Sequence, residues 1–131
     1  MHLIVCVDDG RGMSFGGRRQ SKDRTVFADI LEMSAGKTLY MSNYSARQFS
    51  AENVVAQDDF LEKAQPGDLC FAETLDVAPY LQKAETVTIY HWNRKYPADL
   101  HFPALDGWNC VSRLEFPGYS HELITKEVFQ R

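Results

Sequence analysis

Residues 3–7 of the chain read Leu-Ile-Val-Cys-Val, and Asp8-Asp9-Gly10 follows them directly. An unbroken apolar run of this length, rich in β-branched residues and closed by a turn signal, predicts a strand that is buried on both faces. Strands of this kind are typical of parallel sheets that helices cover on either side. The stretch therefore indicates an α/β protein.

Helix and strand patterns alternate after this first strand, and a hairpin pattern ends the chain. Ser21 or Asp23 is a candidate N-cap for a helix that extends to about Met33, and Gly36 suits the position after its end. Shorter elements are predicted as strands at 37–41, 54–55, 68–72 and 86–92, helical segments at 44–49, 58–64 and 75–84, a loop at 93–107, and terminal strands at 108–116 and 120–129. This order predicts one domain over residues 1–131, with a mainly parallel central sheet and an antiparallel C-terminal hairpin.

Residues 10–22 contain four glycines and are predicted to form one long loop. Basic side chains are dense at its end, where a helix is expected to begin, and guanidinium groups beside the N–H groups of a helix start suit a phosphate or a carboxylate. The alternative is a solvated loop whose arginines pair with nearby carboxylates. The candidate ligand-binding residues here are Gly12, Arg18, Arg19, Gln20, Ser21 and Arg24.

Composition limits the classes of protein that need to be considered. Fourteen basic and eighteen acidic side chains give a net charge of −4, which argues against a nucleic-acid-binding protein. No apolar run is long enough to cross a membrane, and no basic segment resembles the start of a signal peptide. Cys6, Cys70 and Cys110 have apolar neighbours and are predicted to be buried thiols of a cytoplasmic protein.

The short motifs of zinc hydrolases, serine hydrolases and P-loop proteins do not occur in the chain. The four histidines lack the spacing of a metal site, so we expect no protein-bound metal, and neither a nucleophile elbow nor a phosphate-binding Walker motif is present. Tyr90 belongs to an aromatic group with Trp92 and Tyr96. These side chains are expected to fill the core, with stacking against a ligand as the alternative.

Several segments, in their order along the chain, resemble dihydrofolate reductase. They are Leu3–Asp8 with Gly12-Met13, Gly36-Lys37-Thr38-Leu39-Tyr40-Met41, Ala78–Tyr90, Asp99-Leu100-His101-Phe102-Pro103, and the terminal pieces Trp108, Val111-Ser112-Arg113 and Tyr119–Leu123. The resemblance implies a three-layer α/β/α fold in a divergent, shortened member of that superfamily.

The same resemblance places Asp23 where the family has its pterin-binding carboxylate, which makes Asp23 the candidate catalytic residue. From the residues alone, Asp23 is either simply the helix cap or a buried carboxylate that faces a pocket. The family's tryptophan-containing loop is replaced by the basic stretch 17–22. We expect this cationic stretch to lower the pKa of Asp23 and to make it a poor proton donor.

The resemblance is weaker on the side where the family holds its pyridine nucleotide. Of the residues that meet the phosphates, Ser45 is the one that fits, and Ala72-Glu73 replaces a glycine pair. Side chains there are expected to obstruct the cofactor, and Glu73 to repel a pyrophosphate. Since residues 49–58 are also too few for the adenosine-binding segment, NADPH is disfavoured and the cofactor stays unknown.

Three functions are compatible with the sequence. The first is a protein without the family's reductase activity that binds a small anionic ligand, such as a nucleotide, near the arginine-rich stretch. The second is an NADPH-dependent reductase of a pterin-like substrate. The third is a non-catalytic module that contacts a protein or an RNA, and a homodimer is compatible with each of the three.

Overall fold

The structure is a computed structural model that describes residues 1–131. Its strands are β1 (His2–Val7), β2 (Gly12–Phe15), β3 (Arg18–Arg19), β4 (Leu39–Met41), β5 (Val54–Ala56), β6 (Leu69–Phe71), β7 (Thr86–His91), β8 (Leu100–His101), β9 (Asn109–Phe116) and β10 (Ile124–Gln130). Its α-helices are α1 (Arg24–Met33), α2 (Asn43–Ala46) and α3 (Phe60–Lys63), and a 3-10 helix spans Ala78–Lys83. None of the helices has both the length and the apolar composition that a membrane span requires.

The main sheet has seven strands in the order β5-β4-β6-β1-β7-β10-β9. Strand β1 is central and runs parallel to both β6 and β7, whereas β10 runs antiparallel to β7 and to β9. The predicted parallel sheet with an antiparallel C-terminal hairpin is therefore confirmed.

Strand β1 separates two apolar cores. Leu3, Val5 and Val7 point into one core and Ile4 and Cys6 into the other, because successive side chains of a strand point to opposite faces. Helix α1 covers the second core with Val26 and Ile30, while α3 covers the first with Phe60 and Leu61. The result is the expected three-layer α/β/α arrangement, and it explains why residues 3–7 are apolar without interruption.

The prediction of a long loop at residues 10–22 is wrong. Strands β2 and β3 form a hairpin, and β8 pairs with β2 to complete a separate three-stranded sheet. Phe15 lies opposite Arg18, so Gly16 and Gly17 alone form the turn, with φ of 59° and 74°. Positive φ at both central residues suits a two-residue hairpin turn and strongly favours glycine.

The prediction for the three thiols is only partly correct. Cys6 and Cys70 are buried, but Cys110 is exposed, and all three cysteines are free. Cys110 lies on β9, the last strand of the sheet, where the first seven residues are exposed. Apolar neighbours in sequence do not bury a thiol on an edge strand that has no layer on either side.

Candidate functional site

Asp23 connects the start of α1 to the loop between β9 and β10 (residues 117–123, hereafter the hairpin loop). Its Oδ1 accepts hydrogen bonds from the N–H groups of Thr25 (2.9 Å) and Tyr119 (3.0 Å). Its Oδ2 accepts from the N–H groups of Ser120 (2.8 Å) and His121 (3.1 Å) and faces Nδ1 of His121 at 2.9 Å. The side chain of Asp23 is 0% exposed. The prediction of Asp23 as the N-cap is thus confirmed. Backbone N–H groups of the chain donate hydrogen bonds to both oxygens of its carboxylate.

These contacts decide the charge of Asp23. Burial raises the pKa of the carboxyl group, but the hydrogen bonds from Tyr119, His121, Ser120 and Thr25 outweigh it and lower the pKa to about 2. The expected direction is correct, but the expected cause is not, because the donors come from the hairpin loop and α1 and not from the basic stretch. Asp23 is ionised at neutral pH and holds no proton to donate.

The ring of His121 is fixed on every side. Nδ1 faces Asp23, while Nε2 lies 2.9 Å from Oη of Tyr96 and 3.1 Å from Oγ of Ser21. The ring stacks on Trp92 with the centroids 4.6 Å apart. Local sequence patterns do not connect His121 to Asp23, since the two residues are 98 positions apart in the chain. Asp23 and His121 are both buried within this hydroxyl–imidazole–carboxylate chain.

A second buried carboxylate, Glu73, forms an ion pair with Arg19. Nε of Arg19 lies 3.2 Å from Oε2 of Glu73, and Nε2 of Gln48 donates to Oε1 at 2.7 Å. Burial raises the pKa of Glu73, and the charge of Arg19 opposes that shift without cancelling it. Arg19 also lies over the ring of Tyr44, 4.3 Å from its centroid. The guanidinium group of Arg19 is therefore committed to partners within the chain.

An open cleft of about 570 Å³ lies along α1 on the outer side of the Asp23 contacts. Lys22 and Arg24 contribute its cationic side, and Arg24 stacks on Tyr119 at 4.3 Å from the ring centroid. Phe27 and Leu31 contribute its apolar side. The full lining is Lys22, Arg24, Phe27, Ala28, Leu31, Gln48, Tyr119 and Ser120, among which there is no carboxylate. We call this the α1 cleft.

The remaining candidate ligand-binding residues do not lie together in one site. Arg24 is the one candidate that lines the α1 cleft, whereas Arg18 is exposed on β3 and Ser21 is held by His121. Ser45 is buried beside Ser42 at the start of α2, and Tyr90 is buried with its hydroxyl on Asp29. Gly12 and Gln20 pack together near Ala98, where a side chain on residue 12 would overlap both.

Comparison with known proteins bears on the fold. No protein-family model matches the chain, and no curated protein matches it. Among solved structures, a dihydrofolate reductase from Enterococcus faecalis, complexed with NADP(H) and RAB-propyl, superposes with a TM-score of 0.74. The superposition covers 99% of this chain and 95% of that chain at 12% sequence identity. The chain therefore has the fold of dihydrofolate reductase.

Proposed function

We propose that the protein binds a small organic anion with a flat apolar body in the α1 cleft and does not carry out the reduction of a pterin. The observation that carries this proposal is the composition of the cleft, in which two cations face apolar side chains and no carboxylate competes. A nucleotide or another aromatic phosphate has the matching chemistry. A cytoplasmic location is part of the proposal.

The charges of the cleft are free to act on a ligand. Lys22 and Arg24 are exposed, and neither forms an ion pair within the chain. A guanidinium group that stacks on Tyr119 keeps its N–H edge available for a forked contact with phosphate or carboxylate oxygens. Phe27 and Leu31 offer apolar surface to the rest of the ligand.

The reductase alternative has less support at Asp23. A proton donor or a ring-binding carboxylate needs a face that a substrate reaches. Here the carboxylate accepts five hydrogen bonds from the chain, and its side chain has no exposed surface. What favours the alternative is the fold, since the similar solved dihydrofolate reductase is a complex with NADP(H).

Calorimetry with 2-naphthyl phosphate tests the binding proposal. We expect a Kd on the order of 10–100 µM for 2-naphthyl phosphate. Binding of inorganic phosphate and of 2-naphthol should be much weaker, because the first lacks the apolar ring and the second lacks the phosphate group. The double variant Lys22→Ala/Arg24→Ala is expected to bind at least about tenfold more weakly. The matched control Arg18→Ala/Lys95→Ala removes the same charge elsewhere and is expected to bind like the parent.

Two results would contradict the proposal. One is that 2-naphthyl phosphate binds no better than inorganic phosphate. The other is that the cleft variant and the charge-matched control lose affinity equally, which would show that net charge alone attracts the ligand. The reductase alternative is tested separately by following the absorbance of NADPH with dihydrofolate, and we expect no consumption above the rate without protein.

A further inference from the structure

Strand β9 leaves one edge of the main sheet without a partner. It is the last strand in the order and pairs only with β10. Along its length Asn109 to Glu115 are exposed, and the side chains of Val111 and Leu114 are 54% and 56% exposed. A free strand edge with exposed apolar side chains is a template for another strand. In many proteins charges of one sign, a proline or a covering segment prevent this. No proline lies within β9, and its two charged residues, Arg113 and Glu115, have opposite signs.

The regularly paired part of β9 is short, and it carries oppositely charged residues on the two sides of its central residue. The register between β9 and β10 shifts at Val128/Phe129, so the ladder is regular from Ser112 to Phe116, with Leu114 at its centre. Arg113 and Glu115 flank Leu114 on either side. An antiparallel copy centred on Leu114 would therefore place Arg113 opposite Glu115 of the second copy, and Glu115 opposite Arg113 of the second copy.

We propose that the protein forms a homodimer by antiparallel pairing of β9 with β9 of a second copy, centred on Leu114. In this register both charge pairs are favourable, and Leu114 packs on Leu114 of the second copy. Centring on Arg113 would oppose two arginines, and centring on Ser112 would pair neither charge. The sequence of the strand thus selects one register, and a second copy of the chain is the partner whose charges match it.

The dimer joins the two seven-stranded sheets into one continuous sheet. The paired segment is five residues long, so the interface is small and we expect a Kd on the order of micromolar. The hairpin loop that contacts Asp23 begins directly after Phe116, and the α1 cleft is not part of the interface. No residue of the paired segment lines the α1 cleft, so separate variants test dimer formation and ligand binding.

Sedimentation velocity over a concentration series, under reducing conditions, tests the pairing. The parent protein is expected to change from monomer to dimer across the micromolar range. Glu115→Arg and Arg113→Glu each turn both favourable pairs into repulsive ones, so each variant is expected to dimerise roughly tenfold more weakly or worse. An equimolar mixture of the two variants restores opposite charges at both pairs and is expected to form mixed dimers with near-parental affinity.

A cross-linking experiment keeps the register testable even if a charge variant folds poorly. In a Cys110→Ser background, Leu114→Cys places two thiols opposite each other and is expected to form a disulfide dimer under mild oxidation. Ser112→Cys on the same strand is the matched control and is expected to stay uncross-linked. The proposal is overturned if the parent stays monomeric, if the single charge variants dimerise as well as the parent, or if residue 112 cross-links in preference to 114.

Discussion

A single carboxylate, Asp23, holds together parts of the chain that are almost a hundred residues apart. It satisfies the first turn of α1 and three successive N–H groups of the hairpin loop. Hydrogen bonds to a charged acceptor are among the stronger ones, and an uncompensated buried partner is costly. Asp23 thus stabilises the contact between α1 and the hairpin loop. The catalytic role that the resemblance to dihydrofolate reductase implies for the same residue stays a prediction.

Substitution Asp23→Asn is expected to destabilise the protein by about 3 kcal/mol or more. The amide has the same size, but it lacks the charge and turns an NH₂ group toward N–H donors. The measurement is the free energy of unfolding in urea. Asp9→Asn is the control, since Asp9 is exposed and forms no side-chain hydrogen bond, and its effect should stay within about 0.5 kcal/mol. Equal effects of the two substitutions would show that the Asp23 contacts do not matter.

The pKa of Asp23 also predicts how stability depends on pH. The pKa is about 2 in the folded protein against an ordinary value of 3.8, so folding favours the ionised form. Its contribution is complete above about pH 4 and is lost as the pH falls toward 2, by about 2 kcal/mol. Urea unfolding at several pH values should show this loss in the parent and a clearly smaller one in Asp23→Asn. Parallel curves for the two proteins would contradict the assignment.

At the scale of elements, the hairpin loop closes the surface beside Asp23 and contributes one wall of the α1 cleft. Gly118 allows this approach, because a Cβ on residue 118 would lie 2.7 Å from Oδ2 of Asp23 and 2.7 Å from the carbonyl oxygen of His121. The loop then presents the N–H groups of residues 119–121 to the carboxylate, while Tyr119 and Ser120 face the cleft. Loop position and cleft shape are therefore linked.

Gly118→Ala is expected to displace the hairpin loop and to lower the free energy of unfolding by about 2 kcal/mol. The same variant should weaken binding of 2-naphthyl phosphate, since Tyr119 moves with the loop. Gly10→Ala is the control, because the added Cβ meets its nearest neighbour, Oδ1 of Asp8, at an ordinary 3.6 Å. If Gly118→Ala unfolds and binds like the Gly10→Ala control, the loop does not need the close approach at residue 118.

At the scale of the whole molecule, the sequence predicted the features that local patterns encode. Strand β1 was recognisable because burial on both faces requires an unbroken apolar run, and α1 because its cap and apolar face are local. The β2–β3 hairpin was missed, since β3 is two charged residues long and four glycines suggested a loop. The partners of Asp23 were also missed, because His121 reaches it only through the folded sheet, and Cys110 was misplaced because its exposure depends on strand order.

The protein has the fold of dihydrofolate reductase and covers Asp23 with its own hairpin loop, and we propose that the α1 cleft binds the ligand. The most direct measurement is the mapping of backbone amide shifts in ¹H–¹⁵N NMR spectra during titration with 2-naphthyl phosphate. We expect saturable shifts along Lys22–Leu31 and at Gln48, Tyr119 and Ser120, with little change at Gly12, Arg18 and Tyr90. Shifts centred on Gly12 and Tyr90, or no saturable shift at all, would contradict it.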